Sequence, residues 1–542
     1  MKTEYIDAHA LKQQIHDAEE IAILDVREHG QYGENHLFFA VSLPYSVLEL
    51  EIERLIPRKS TRVVLYGNRH ESEVITSACM AASRMGYTNL SILQDGIQGW
   101  QTEGYATFAG VNLPSKTFGE LAEHAYDTPR VTALELHQWL NDDSHKIVVL
   151  DGRPVPEYKK MNIPGSVCCP NGELALRAGQ LAPDPETTIV INCAGRTRSI
   201  VGAQTLINLG IPNTVYALEN GTQGWYLADL QLEHQSDRLY PGEVKDEDLP
   251  MLRARSAAVA RRHNIGTVDA PQVSEWLSQG NRSTFLCDIR TPEEYARDKL
   301  PTIVQHTPGG QLIQATDEYI GVRKSRLVLL DFDGIRAPVT ASWLKQQGWE
   351  VYLLKNPAAL EVTPRPGNHK PVLQHTTTLT PADVSRFITN NPDAKIIDTR
   401  ASMQFRKLRL KNSDWAIRPT LGAAAPQNKT TAVLLIGESQ DKLQLLAGDL
   451  ERAGHTDIYL ICMDALSISR CGLPVSDEDD ALEDHACIDF LFFVHDRHQG
   501  NKEAARKYLE WETNLISQID EQERQTFSFD ANFTGANNEE TK

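Results

Sequence analysis

An apolar run that closes on Asp-x-Arg occurs four times in this 542-residue chain, and a single core does not accommodate that repetition. The copies are Ile21–Arg27, Ile147–Arg153, Thr284–Arg290 and Lys395–Arg400, with their aspartates at intervals of 126, 137 and 110 residues. Each interval is the size of a small domain. A second apolar run follows each copy: Arg62–Tyr66, Thr188–Asn192, Arg326–Leu330 and Ala432–Ile436. Short continuous runs of Val, Ile and Leu suit strands covered on both faces of a parallel sheet.

After each second run comes a polar loop, then an amphipathic segment such as Ser199–Leu209, stopped by Gly210 and Pro212. Another short strand closes each unit: Leu90–Leu93, Thr214–Leu218, Val351–Leu354 and Ile458–Ile461. This alternation predicts an α/β fold of four tandem units, each a central parallel sheet flanked by helices. The expected units are 1–108, 127–235, 266–360 and 376–475, followed by an acidic linker and C-terminal helix over 476–542. Val111–Arg130 and Gln235–Arg262 read as linkers, and Pro364–Gly367 as the break before the fourth unit. Glu503–Glu523 alternates charged and apolar residues like a surface helix, and Ala531–Lys542 reads as disordered.

The formal net charge of −19 argues against a general nucleic-acid binder. No run of about 18 apolar residues predicts a membrane span, and Met1–Asp7 lacks the pattern of a secretory signal. Eight cysteines without regular spacing or a CxxC pair suggest neither a disulfide framework nor a metal site. The expectation is a cytoplasmic protein with reduced thiols and no cofactor.

Over nearly its whole length, to about Pro474, the chain resembles rhodanese-like sulfurtransferases, as four repeats of which the second carries the active-site cysteine. The resemblance rests on Leu150–Arg153, Glu157-Tyr158, Ile163–Ser166, Asn192-Cys193, Arg198-Ser199 and Asn220-Gly221…Gly224-Trp225, in that order; Asp95-Gly96…Gly99-Trp100 repeats the last element in the first unit. It implies five-stranded parallel sheets and a loop that cups a cysteine persulfide. It also implies a sulfane-sulfur donor and a thiol, cyanide or protein acceptor; the basic loop is closer to thiosulfate-type loops than to those of 3-mercaptopyruvate users, which favours thiosulfate and leaves 3-mercaptopyruvate, glutathione persulfide and protein persulfides as alternative donors. In two-domain members an arginine just before the tyrosine helps hold the anionic donor. Here that residue is Glu157, so Arg196 and Arg198 are expected to take over the task.

Cys193 is the candidate nucleophile, with Ala194, Gly195, Arg196, Thr197 and Arg198 as the binding loop. A thiolate is the reactive form. Loop N–H groups, a helix N-terminus and two arginines are each expected to lower the thiol pKa. The other three loops carry no sulfur: Tyr66–Ser72, where His70 reads as a surface residue; Asp331–Ala337, with Asp331 at the cysteine position; and Ile436–Asp441. Cys79, Cys287 and Cys462 read as core. Cys168 and Cys169 are weak candidates for a relay, pending their exposure. Asp151 and Arg153 recur in units without a cysteine and therefore read as a structural ion pair. Two other functions compete: a non-enzymatic interaction protein, and a related cysteine phosphatase. The phosphatase loop needs five residues between cysteine and arginine, whereas four lie between Cys193 and Arg198.

Overall fold

The computed structural model describes residues 4–69, 73–298, 300–362, 371–478, 482–492 and 501–529. His70, the Pro364–Gly367 break and the 531–542 end lie outside those residues. Four five-stranded sheets are present, and every strand pair within them is parallel. Counted along the chain within each sheet, all four have the strand order 1-5-4-2-3. In the second sheet the strands are Arg130–Val131, Ile147–Asp151, Val167–Cys168, Thr188–Asn192 and Val215–Leu218. Asp151 and Asn192 are register partners at the carboxyl ends of adjacent strands, the end at which open parallel sheets carry their sites.

The repeated Asp-x-Arg is a buried ion pair that closes the end of its strand. Arg153 donates to both oxygens of Asp151, from Nε at 2.8 Å and Nη2 at 2.7 Å, and Nη2 also reaches the Met161 carbonyl at 2.6 Å. The same pair forms between Arg27 and Asp25, Arg290 and Asp288, and Arg400 and Asp398. The structural reading of these residues therefore holds in all four units.

The first three units share two core clusters, and the second and third each have one more of their own. One buried cluster runs from Ile23 and Trp100 through Phe118 to Leu206, Trp343 and Phe527. Another joins Leu24 and Leu65 to Leu327 and Leu344. The fourth sheet has cores of its own and meets the first unit through Arg418, which donates to Glu49 at 2.8 Å and to Asp449 at 2.7 Å. Among the described residues no helix is long and apolar enough to cross a membrane.

Three segments differ from the sequence expectation. The stretch read as the first linker is a helix, Leu113–Tyr126, most of it buried. It crosses the helix Thr197–Asn208 so closely that a Cβ on Gly119 would lie 2.5 Å from the Thr197 methyl. The second presumed linker contains the helix Leu249–Arg262. The tail is not a surface helix: Lys502–Thr513 buries Ala505, Tyr508, Leu509 and Glu512. Those positions follow an i, i+3, i+4, i+7 pattern that marks one packed face, and the carboxylate of Glu512 on it is what hides the stripe in the sequence.

The Asn220-Gly221 motif fixes the loop that follows strand Thr188–Asn192. Asn220 and Gly221 have φ of 60° and 52°, which lets Thr222 N–H donate to the Cys193 carbonyl at 2.8 Å and Gln223 N–H to that of Ala194 at 3.1 Å. A Cβ on Gly221 would stand 2.3 Å from the Cys193 carbonyl oxygen. Asp95-Gly96 does the same in the first unit, with Ile97 N–H on the Gly67 carbonyl at 3.0 Å. Gly221→Ala is expected to cost at least ~1–3 kcal/mol from left-handed backbone strain alone, read as a lowered thermal midpoint. Gly165→Ala, also at positive φ but with open space around it, should lower the midpoint less.

Candidate active site

Asp151 positions the candidate nucleophile through one intermediate. Its Oδ2 accepts from Asn192 Nδ2 at 2.7 Å, and Cys193 is the next residue. Cys193 is only 2 % exposed. Its Sγ lies 3.6 Å from Ser199 Oγ, while the Ser199 hydroxyl also faces the Arg196 carbonyl at 2.8 Å. The helix behind the loop begins at Thr197, two residues before the expected start. All six residues from Cys193 to Arg198 line a cavity of about 290 Å³.

The third unit shows what such a loop is shaped to hold. Asp331 follows strand Arg326–Leu330 as Cys193 follows Thr188–Asn192. Its Oδ2 accepts three backbone N–H groups, from Ile335 at 2.9 Å, Arg336 at 2.8 Å and Ala337 at 3.0 Å. The corresponding positions in the second unit are Thr197, Arg198 and Ser199. The first turn of the helix is thus an anion cradle, which the third unit fills with its own carboxylate. The fourth loop is cut short: its strand ends at Gly437 and the next helix starts at Gln440. The first loop is described as far as Arg69 and has no sulfur there.

The two arginines are not free counter-charges, which corrects the sequence reading. Arg198 donates to both oxygens of Glu157 at 2.8 Å each. Arg336 makes the equivalent pair with Glu294, at 2.6 and 3.0 Å, so the glutamate before the tyrosine serves as an arginine clamp in both units. Arg196 turns to the linker helix, where Glu120 takes Nε at 2.8 Å and Glu123 takes Nη2. Both arginines line the cavity with their charge already committed.

The expected lowering of the Cys193 pKa is also overturned in this closed arrangement. Burial pushes the thiol up; Arg198 and the hydrogen bonds from Ser199 pull the other way, and the Glu512 carboxylate adds to the rise. Glu512 comes from the tail helix. Its Oε1 accepts from Thr197 Oγ1 at 3.2 Å, and its Oε2 is enclosed without a partner, 2.7 Å from where a Gly195 Cβ would be. Lys116, 5 % exposed, also lines the cavity and sits 4.8 Å from the Trp511 ring centroid and 5.4 Å from that of Tyr508. Lys116, Tyr508 and Glu512 were not legible as site residues in the sequence. The helical stripe Ala505–Glu512 was the available signal, but nothing in it points to Cys193.

Cys168 and Cys169 are both fully buried, and burial raises both thiols, Cys168 to about 12; a relay through them has no support. Cys79 and Cys287 are buried as expected, whereas Cys462 is half-buried at a strand end.

Comparison with known proteins agrees with this geometry. The Rhodanese-like domain family model matches residues 7–103 and 132–228. A crystal structure of thiosulfate sulfurtransferase from Pseudomonas aeruginosa superposes with a TM-score of 0.87 at 35 % identity, covering 97 % of this chain and 99 % of that one. A putative sulfur carrier protein of Bacillus subtilis, YrkF, is 31 % identical over 104 residues, which are 19 % of this chain and 54 % of that protein, about half its length.

The electrostatics around Cys193 predict opposite effects for its two charged neighbours. Glu512→Gln removes a negative charge and should move the pH midpoint of Cys193 alkylation by iodoacetamide downward. Arg198→Met should move it upward. Mass spectrometry of the Cys193 peptide across a pH series checks both; a common direction for the two variants would contradict this account.

Proposed function

Since the chain belongs to the rhodanese-like sulfurtransferase family, we propose that it moves sulfane sulfur from thiosulfate or a related donor to a thiophilic acceptor through a persulfide on Cys193. The observation that carries this reading is the pair of matching loops. The second unit has a thiol where the third has a carboxylate seated on three helix N–H groups. An anion on Cys193 would take the same three donors, and a persulfide is anionic.

The chemistry has two displacements. The Cys193 thiolate attacks the outer sulfur of thiosulfate, the sulfur–sulfur bond breaks, and sulfite leaves with the bonding pair. An acceptor thiolate or cyanide then attacks the terminal sulfur of the persulfide, and Cys193 departs as thiolate. In each step negative charge sits on a sulfur near the N-terminus of helix Thr197–Asn208, whose partial positive charge stabilises it. Ser199, through its hydroxyl and N–H, favours the ionised form against the burial that opposes it. Gly195 keeps the loop open on the side where Glu512 approaches.

Treatment of the full chain with thiosulfate should add one sulfur, about 32 Da, to the peptide carrying Cys193, and cyanide should remove it with formation of thiocyanate. Cys193→Ser should lose both the adduct and the turnover. A wild-type protein that forms no adduct with thiosulfate, a polysulfide or a persulfide would leave the non-enzymatic reading in its place.

A further inference from the structure

A second cavity, of about 420 Å³, lies where the first unit, the start of helix Leu113–Tyr126, the third unit and the tail meet. It shares no lining residue with the cavity at Cys193. Two cations, Arg323 and Lys324, face it together with His16, in a chain of formal net charge −19.

Arg323 is the unusual residue. Its guanidinium carbon lies 3.3 Å from the centroid of the Phe39 ring. Its Nε is enclosed and has no partner, and among the described residues it forms no ion pair. The acid that acts on it through space is Glu523, itself bonded to Lys12 at 3.1 Å. Burial consequently pulls Arg323 down to about 9. His16 Nε2 is likewise enclosed without a partner; burial and the cations Lys12 and Arg323 lower it to about 4, so the ring is neutral and one nitrogen can donate. Asp317 is the carboxylate on the wall, and burial beside Glu318 raises it to about 7.

Arg323 and His16 are half-buried, yet each holds an enclosed nitrogen without a partner, and an enclosed polar atom left unpaired is costly. Two of them on one cavity wall describe a site prepared for a group that brings acceptors and negative charge. A guanidinium with one face on an aromatic ring and its N–H edge free offers the fork that fits carboxylates and sulfonates. Apolar side chains from Val41, Ile320 and Trp349 line it among uncharged polar ones such as Ser115, Gln347 and Gln525, and the volume falls in the range of about 300–1,000 Å³ usual for small-molecule sites. We propose that this cavity binds a small organic anion, a carboxylate or sulfonate on an apolar body, with Arg323 taking the anionic group and His16 and Lys324 assisting. The proposal is independent of sulfur transfer at Cys193.

Isothermal titration of the full chain with benzenesulfonate tests it, with neutral benzenesulfonamide as the control. Saturable binding at one site is expected, weakened about tenfold or more by Arg323→Met, partly kept in Arg323→Lys, and much weaker for the sulfonamide. Arg323→Met is expected to fold, because methionine can cover Phe39 while an uncompensated charge is removed. Should it melt early, the comparison of Arg323→Lys with wild type, and of sulfonate with sulfonamide on wild type, still decides. Absence of saturable binding, or equal binding of the two probes, overturns the proposal. So does binding that survives Arg323→Met but is lost in Lys116→Met, which would put the anion in the Cys193 cavity.

Discussion

The buried aspartate at the end of the second strand is the constraint on which the active loop depends. Asp151 takes three donors from Arg153, its backbone N–H among them, and one from Asn192, so a single desolvated carboxylate ties two adjacent strand ends together. Removing one partner of such a buried pair typically costs several kcal/mol, because the other charge is left unpaired. That expense is offset by the paired contacts, which form in all four units. The result is a rigid platform from which the next residue after the neighbouring strand is presented to the helix N-terminus. The residue presented is a thiol in the second unit and a carboxylate in the third.

Burial sets the character of the site as much as the cradle does. The linker helix, the third unit and the tail close over a loop that a lone domain of this kind would leave open on that side. Their contribution is electrostatically mixed: Glu120 and Glu123 hold Arg196, Glu157 holds Arg198, and Glu512 brings an unpartnered carboxylate oxygen to the loop. In this arrangement the neutral thiol is favoured over the thiolate. The helix N-terminus and Ser199 oppose that preference locally, so a small change in the tail or in the charge on Glu512 acts directly on the Cys193 sulfur.

Much of the architecture was legible because it is periodic. Four copies of an apolar run ending in Asp-x-Arg, each followed by a second run, point to parallel strands and a repeated unit; the strand order 1-5-4-2-3, the same in every copy, comes from the structure. Cys193 stood out because it alone among the four equivalent loops carries sulfur. The linkers were misread because Leu113–Tyr126 buries polar residues, among them Ser115, Lys116, Thr117 and Glu120, against other units; a helix that buries such groups has no clean amphipathic signature. The arginines were misread because sequence places a charge near the loop but does not show what lies across from it. Glu120 and Glu123 are more than seventy residues away from Arg196.

The sequence by itself determined the repeated α/β unit, the place of the loop in each copy and the identity of its one thiol. These are local properties: strand periodicity, a buried ion pair two residues apart, and a residue at a strand end. Tertiary structure alone decided what surrounds that thiol. Lys116, Tyr508 and Glu512 reach Cys193's cavity from segments with no sequence relation to it, and Arg323 forms no ion pair among the described residues, while Glu523, the acid that acts on it through space, is bonded to Lys12. Charge compensation and desolvation depend on distances through space between remote segments, and the order of residues along the chain does not encode those distances directly.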